Sequence, residues 1–311
     1  MGKRVYILGE LNIDLIATGR DVMPEWNREK LLDSFDMALG SSSAITASVL
    51  AGLGADVAMV SVVGDDAFGR YCLERLAANG VDTAHVRIDP QQQTGVTLSL
   101  STAKDRALLT HMGAISELRA ADIPEAMWTE AAHVHFGSYY LQDGMRGSWR
   151  DLFAAARERG ITTSFDTGWD IREGWDAERI RALLAVTDWF VPSEDELLAI
   201  CAADTLEQAL ATLPAARGMV AVKRGSRGAA LVAPDGTRLD AAPLRANPVD
   251  TTGAGDSFNA GLIYGRLAGM ADAELLRFAG ACGAMATERI GGAQAVPSLA
   301  DVRRFISERS Q

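Results

Sequence analysis

Cysteine is scarce in this chain: three in 311 residues, Cys72, Cys201 and Cys282, with no CxxC pair among them. Widely spaced cysteines are not a disulfide framework, and they fit a reducing cytoplasm. Cations are also in deficit. There are 30 lysines and arginines against 41 aspartates and glutamates, a formal net charge of −11. A chain of that sign is poorly suited to nucleic acid or to an anionic membrane surface. It does not exclude an anionic substrate, because a local site can be positive on an acidic protein. No long apolar run is present. The longest uncharged stretch, Met37 to Ala55, is rich in Ser, Gly and Ala and reads as a packed internal helix, not a membrane span. The N-terminus, MGKRVYILGELNID, meets charge within a few residues and does not read as a signal peptide. Two phosphate-binding fingerprints are missing as well. There is no GxxxxGK[ST], and no GxGxxG follows a strand.

What is there is an alternation. Short apolar runs are expected as strands: VYILG (5–9), DVAMVSVVG (56–64), HVHFG (133–137), ITTSFD (161–166), WFVP (189–192) and MVAVKRG (219–225). Amphipathic or small-residue stretches between them are expected as helices: 43–55, stopped by Gly54; 68–80, closed by Gly80; 148–160; and others from about Ser193, after Gly253 and after Ala271. Strands alternating with helices imply an α/β fold with a mostly parallel sheet covered on both faces. Ligands in such sheets sit at the carboxyl ends of the strands. Residues there are Glu10 to Asp14, Asp65-Asp66, Asp166, Ser193 to Glu196 and Gly225-Ser226. Two segments break the rhythm. Residues 12–40 show no clear helix, and 94–112 read as a hairpin turning at Ala103-Lys104-Asp105. They are expected to form a small β lid on a single domain spanning 1–311.

One stretch carries chemistry. VDTTGAGDSFNAG (249–261) puts Gly253, Gly255 and Asp256 at the mouth of a helix. A helix N-terminus offers unpaired N–H groups and partial positive charge, so anions bind there. Glycines let the backbone approach an anion without a Cβ in the way. A carboxylate beside a bound phosphate is poorly placed to bind it, but well placed to take a proton from a hydroxyl attacking it. Taken alone, GAGD admits that reading and a plain helix cap equally.

DTTGAGDSFNAG (250–261) resembles the C-terminal signature of the ribokinase-like, or PfkB, carbohydrate kinases. GELNIDL (9–15), residues 38–69, VPSEDEL (191–197), VAVKRGSRGAALV (220–232) and ATERIGGAQAVPS (286–298) resemble that family's other motifs in the same order. The resemblance implies a ribokinase-like three-layer fold with helices on both faces of the sheet and a small β lid. It implies phosphorylation of a hydroxymethyl group on a sugar or sugar acid by ATP and Mg²⁺, with a nucleoside as the runner-up substrate. A member that binds such a compound without turning it over is the alternative. Asp256 would be the base, and the N–H groups of Ala254, Gly255 and Asp256, after Gly253, an anion hole. Asp14, with Asn12, Gly40, Ser41 and Ser42, would hold the substrate. Ser193, Lys223, Gly225, Ser226, Gly228 and Gly292 would shape the nucleotide side. Glu196 would meet Mg²⁺ through water. Asp250 and Thr252 match a monovalent-cation site for K⁺, while AQAVPS, in the other half of that site, is one residue short of the family pattern. The resemblance also implies a homodimer through the lid.

The chain departs from the family pattern at Ser41, at Ile45, where a sugar-binding Asn is usual, and at Ser193, where N-x-x-E has Asn. An apolar Ile45 cannot bond a sugar hydroxyl, so Ser41, Ser42 and Ser43 are candidate replacements. His133 and His135 project from one face of a strand, as metal ligands or as ordinary strand residues. Trp169 and Trp175 either stack on substrate or anchor a loop.

Overall fold

The computed structural model describes residues 4–102, 106–289, 291–292 and 296–309. The expected hairpin tip, Ala103-Lys104-Asp105, and the AQA segment, Ala293-Gln294-Ala295, lie outside them.

The strands in chain order are β1 (Arg4–Leu8), β2 (Asn12–Thr18), β3 (Ser34–Leu39), β4 (Val57–Gly64), β5 (Asp82–Asp89), β6 (Gly95–Ser101) and β7 (Arg106–His111). They continue with β8 (Ala131–Phe136), β9 (Thr162–Phe165), β10 (Trp189–Phe190), β11 (Met219–Lys223), β12 (Ala229–Val232) and β13 (Arg238–Ala241). Nine form one sheet in the order β13-β12-β11-β10-β9-β8-β1-β4-β5. From β11 to β5 every pair is parallel, and β12 and β13 are antiparallel additions at one edge.

The side-chain period of two explains the layers. Val5 and Ile7 of β1 enter one core, while Tyr6 and Leu8 enter the other. The first core packs against helices Ser42–Gly52, Asp272–Thr287 and Leu299–Glu308. The second packs against Trp149–Glu158, Ala177–Leu184 and Glu194–Cys201. A strand buried on both faces must be apolar throughout, which is why β1 and β4 read as continuous runs. The two expected helix stops hold: Gly54 and Gly80 have φ of 97° and 84°, a left-handed conformation that glycine adopts freely.

The segments that broke the rhythm form a separate four-stranded sheet, β3-β2-β6-β7. Its register puts Asn12, Asp14, Thr97 and Arg106 on one face and Leu15, Phe35, Met37, Leu98 and Leu109 on the other. Among the described residues no helix is long and apolar enough to cross a membrane.

Candidate active site

Five neighbouring parallel strands end on one edge, and a polar residue follows or closes each: Glu10 after β1, Ser138 after β8, Asp166 after β9, Ser193 after β10 and Lys223 at the end of β11. Asp256 meets them in the first turn of helix Ala254–Leu267. The N-cap, Gly253, has φ 75°, and a Cβ there would lie 2.7 Å from Gly292 Cα. Backbone conformation and contact thus both demand glycine. Ile45 fills the space behind this turn. A Cβ on Gly292 would come within 2.6 Å of Ile45 Cδ1, so Ile45 buttresses the two glycines. Of the three N–H groups of the expected anion hole, that of Ala254 already donates to the Thr251 carbonyl at 3.3 Å. Those of Gly255 and Asp256 have no acceptor within the helix, as at any helix start.

The Asp256 carboxylate is half-buried. Ser42 Oγ donates to its Oδ1 at 2.6 Å. Burial, with Asp166 and Glu10 adding to it, pushes this carboxyl up to about 6, against the pull of Ser42 and Lys223. Lys223 sits alongside. Its ammonium pairs with Asp166, which also accepts from Asn259 Nδ2 at 2.7 Å and from the Gly168 N–H at 3.1 Å. The pair is deep: the side chains of Lys223 and Asp166 are 14% and 6% exposed. Burial opposes both charges, yet mutual attraction holds Asp166 below its ordinary value and Lys223 above it. The ammonium lies over the helix start, since a Cβ on Gly255 would be 3.4 Å from Nζ. Glu196 completes the cluster, and burial, then Asp166, raises its carboxyl. Three carboxylates therefore share one ammonium.

These groups line a cleft of about 540 Å³ with Ser42, Ser138, Ser193, Gly225 and Ser226. A second cleft of about 500 Å³ adjoins it through Lys223, Gly225, Ser226 and Gly255, and its walls include Gly228, Pro243, Leu244, Phe258, Leu276 and Ala284. Gly228 has φ 86°, and a Cβ on it would strike the Ala241 carbonyl at 2.0 Å. On the small-sheet side, Asn12 Nδ2 donates to Asp14 Oδ1 at 3.0 Å. A Cβ on Gly40 would fall 2.2 Å from that oxygen, so only glycine leaves room for Asp14. Burial pushes the Asp14 carboxyl up to about 6, while Asn12 and Arg106 pull it down and Asp250 raises it. Arg106 reaches from β7 to donate to Thr252, and it lies 3.7 Å from Asp250 Oδ1.

An apolar cleft joined to a polar one, with a helix start, a carboxylate and an ammonium at the junction, is the architecture of a group-transfer site. The model of the pfkB family carbohydrate kinases matches residues 3–299. The chain belongs to the pfkB family of carbohydrate kinases. It is 33% identical to the ATP-dependent ribose-1-phosphate kinase of Halopiger xanaduensis, over 98% of this chain and 99% of that one. It is 31% identical to a fructokinase of Klebsiella pneumoniae, over 98% and 100%. An E. coli protein described as a ribokinase II, solved with ATP and Mg²⁺, superposes with a TM-score of 0.87 at 26% identity, covering 99% and 100%. This pfkB chain is thus a carbohydrate kinase with the ribokinase-like fold.

The expected site residues fall into groups. Asp256, Gly255, Ser42, Ser193, Glu196, Lys223, Gly225 and Ser226 line the polar cleft, and Gly228 the apolar one. Asn12, Asp14 and Gly40 stand together on the small-sheet side, and Gly292 packs behind Gly253. Ser41 is engaged elsewhere: it caps helix Ser42–Gly52 and donates to the Glu10 carbonyl at 2.6 Å. Ser193 and Glu196 form a reciprocal capping box, at 2.7 and 3.2 Å. Asp250 Oδ1 accepts from Thr252 Oγ1 at 2.7 Å, and Oδ2 from the Gly291 N–H at 3.0 Å. Arg224 turns to Glu194 and Asp240.

His133 and His135 are buried and both bond Ser164 Oγ at 2.7 Å. Burial pushes them down to about 3 and 4, so both are neutral strand residues at ordinary pH. Trp175 anchors its loop through Tyr140 and Trp169, while Trp169 stays 53% exposed. Motif reading assigned no role to Asp166, Asn259, Glu10, Ser138 or Arg106. Asp166 and Glu10 did stand at strand ends, the signal that locates them.

Proposed function

We propose that the protein transfers a phosphoryl group from MgATP to a hydroxymethyl group of a sugar or sugar acid. The observation that carries this reading is Asp256, set in the first turn of a helix beside a buried ammonium and open to a cleft. Asp256 takes the hydroxyl proton as the oxygen attacks. The N–H groups of Gly255 and Asp256, with Lys223, hold the charge on the transferring group. The apolar cleft fits a nucleoside base, and the phosphates then run toward Lys223. Carboxylate oxygens in excess of cations are the donor chemistry that suits Mg²⁺, with Glu196 as the residue that would hold it through water. When bound, that ion offsets the negative charge of the phosphates. Asp250 and Thr252 support a K⁺ site beside the same turn.

ATP consumption against sugars, sugar acids, sugar phosphates and nucleosides tests the reading, with and without K⁺. Turnover of a sugar-type compound is the expected outcome. Turnover of nucleosides alone would move the assignment to nucleoside kinase. Binding without turnover across the panel would make the chain a sensor.

Asp14 accepts hydrogen bonds from two substrate hydroxyls in this reading. Each bond to a charged group is worth about 1.5–3 kcal/mol, so Asp14→Ala raises the sugar KM at least ~10-fold and leaves the KM for ATP alone. Steady-state kinetics with each substrate varied in turn checks this. An unmoved sugar KM would leave Asp14 as a strand residue without a substrate contact.

The four-stranded sheet acts as a lid on a single domain. Its site-facing surface carries Asn12, Asp14 and Arg106, so a bound sugar ties it to the main sheet. Hydrogen exchange across β6 and β7 slows when substrate binds. Equal exchange in both states would remove the closure. Its other face leaves Phe35, Met37 and Leu109 exposed at 58%, 38% and 59%, which suits burial against a second copy. A monomeric mass at micromolar concentration would remove the dimer and leave the kinase untouched.

A further inference from the structure

We propose that Ser42 is a positioning residue for the catalytic carboxylate: its hydroxyl holds Asp256 Oδ1, so that Oδ2 is the oxygen presented to the substrate. The proposal deepens the kinase reading and rests on Asp256 being its base.

The run Ser41-Ser42-Ser43 divides its labour. Ser41 donates to the Glu10 carbonyl at 2.6 Å, and Ser43 to Glu10 Oε2 at 2.8 Å. Ser138 adds a bond to Glu10 Oε1 at 2.9 Å. Glu10 is 2% exposed, so this clamp is rigid and dry. It fixes the start of helix Ser42–Gly52 on the end of β1. Ser42, between the two clamped serines, is the one turned the other way, onto Asp256.

Among the described residues, Ser42 is the only side chain that donates to the Asp256 carboxylate. The nearest cation, Lys223, spends its bond on Asp166. The charged groups facing Asp256 are Asp166 after β9, Glu10 after β1 and Lys223 at the end of β11, and the two carboxylates favour its protonated form. A hydroxyl that donates to a carboxylate favours the ionised form, the one that can accept a proton. It also restricts rotation of the carboxyl group, so one lone pair stays aimed at the cleft. An alanine would remove both effects with almost no change in helix geometry, because the N-terminal cap is supplied by Ser41.

The test is a ¹³C NMR titration of aspartate-labelled protein, with the Asp256 carboxyl signal identified by its loss in Asp256→Asn. Ser42→Ala should titrate about one pH unit higher than the native chain, the size expected for one bond to a charged group. Ser42→Thr, which keeps the hydroxyl, should titrate near the native value. For an active substrate, a one-unit rise lowers kcat/KM about threefold near pH 6.5, with the loss regained by pH 8.5. An unmoved Asp256 titration in folded Ser42→Ala overturns the proposal. So does a raised sugar KM without a shifted titration, which would put Ser42 on the substrate instead. A shifted titration supports the proposal whether or not any compound is turned over. Absence of turnover counts against the kinase reading alone.

Discussion

Asp256→Asn lowers kcat at least ~10²-fold while the KM for ATP stays nearly constant. The amide keeps the size of the carboxylate and can still face Ser42 Oγ, but it cannot accept a proton. A positioned general base contributes about 10²–10⁴-fold, so the lower bound follows from chemistry alone. The nucleotide side is built from other residues: Gly225, Ser226, Gly228 and the apolar walls. Near-normal kcat in this variant would sink the assignment of Asp256 as base.

As the proposed base, the same residue also sets the expected pH dependence. A base must be ionised to accept a proton, and the Asp256 carboxyl is pushed up to about 6 by burial. Rate is therefore present above pH 6 and lost as pH falls through it. Asp14 is also pushed up to about 6 by burial. Two groups that must be ionised in the free enzyme make log kcat/KM fall with a slope approaching 2 on the acid side. In Asp14→Ala that slope drops toward 1. A single-proton limb in the native chain would mean that one of the two carboxylates is not required.

The parts of this molecule that could be read from the sequence are those in which cause lies within a few residues. A strand buried on both faces must be apolar throughout, so β1 and β4 show themselves. The glycines at 253 and 255 and the carboxylate at 256 belong to one helix start. Edge strands are different. In β5 and β13 polar side chains interrupt the apolar pattern, and neither was separable from a loop. The site shows the same division. Asp166 and Lys223 are 57 residues apart, and Ser41 and Glu10 are 31 apart. A single sequence holds no record of such pairs. Ile45 is the sharpest case. Read locally, it is a missing sugar contact. In the fold it is the side chain that fills the space behind Gly253 and Gly292, and that partner lies more than 200 positions away.

Lys223→Met damages the protein in two separable ways. It leaves Asp166 buried without its ammonium. Removing one partner of a buried pair costs about 3–5 kcal/mol, and the retained bonds from Asn259 and the Gly168 N–H favour the lower end. It also takes the only ammonium of the cluster among the described residues away from the helix start at Gly255, where phosphoryl charge would collect in the proposed reaction. Losing one preorganised group of that kind costs about 2.7–4 kcal/mol of transition-state stabilisation, or 10²–10³-fold in kcat. The double variant Asp166→Asn, Lys223→Met separates the two. It removes the orphaned charge along with its partner, so thermal stability returns toward native, while kcat stays low because the transferring group still lacks its cation. A double variant that regained both stability and rate would show that Lys223 serves only to neutralise Asp166. One that regained stability alone would make Lys223 part of the phosphoryl site and Asp166 the group that holds its ammonium over Gly255.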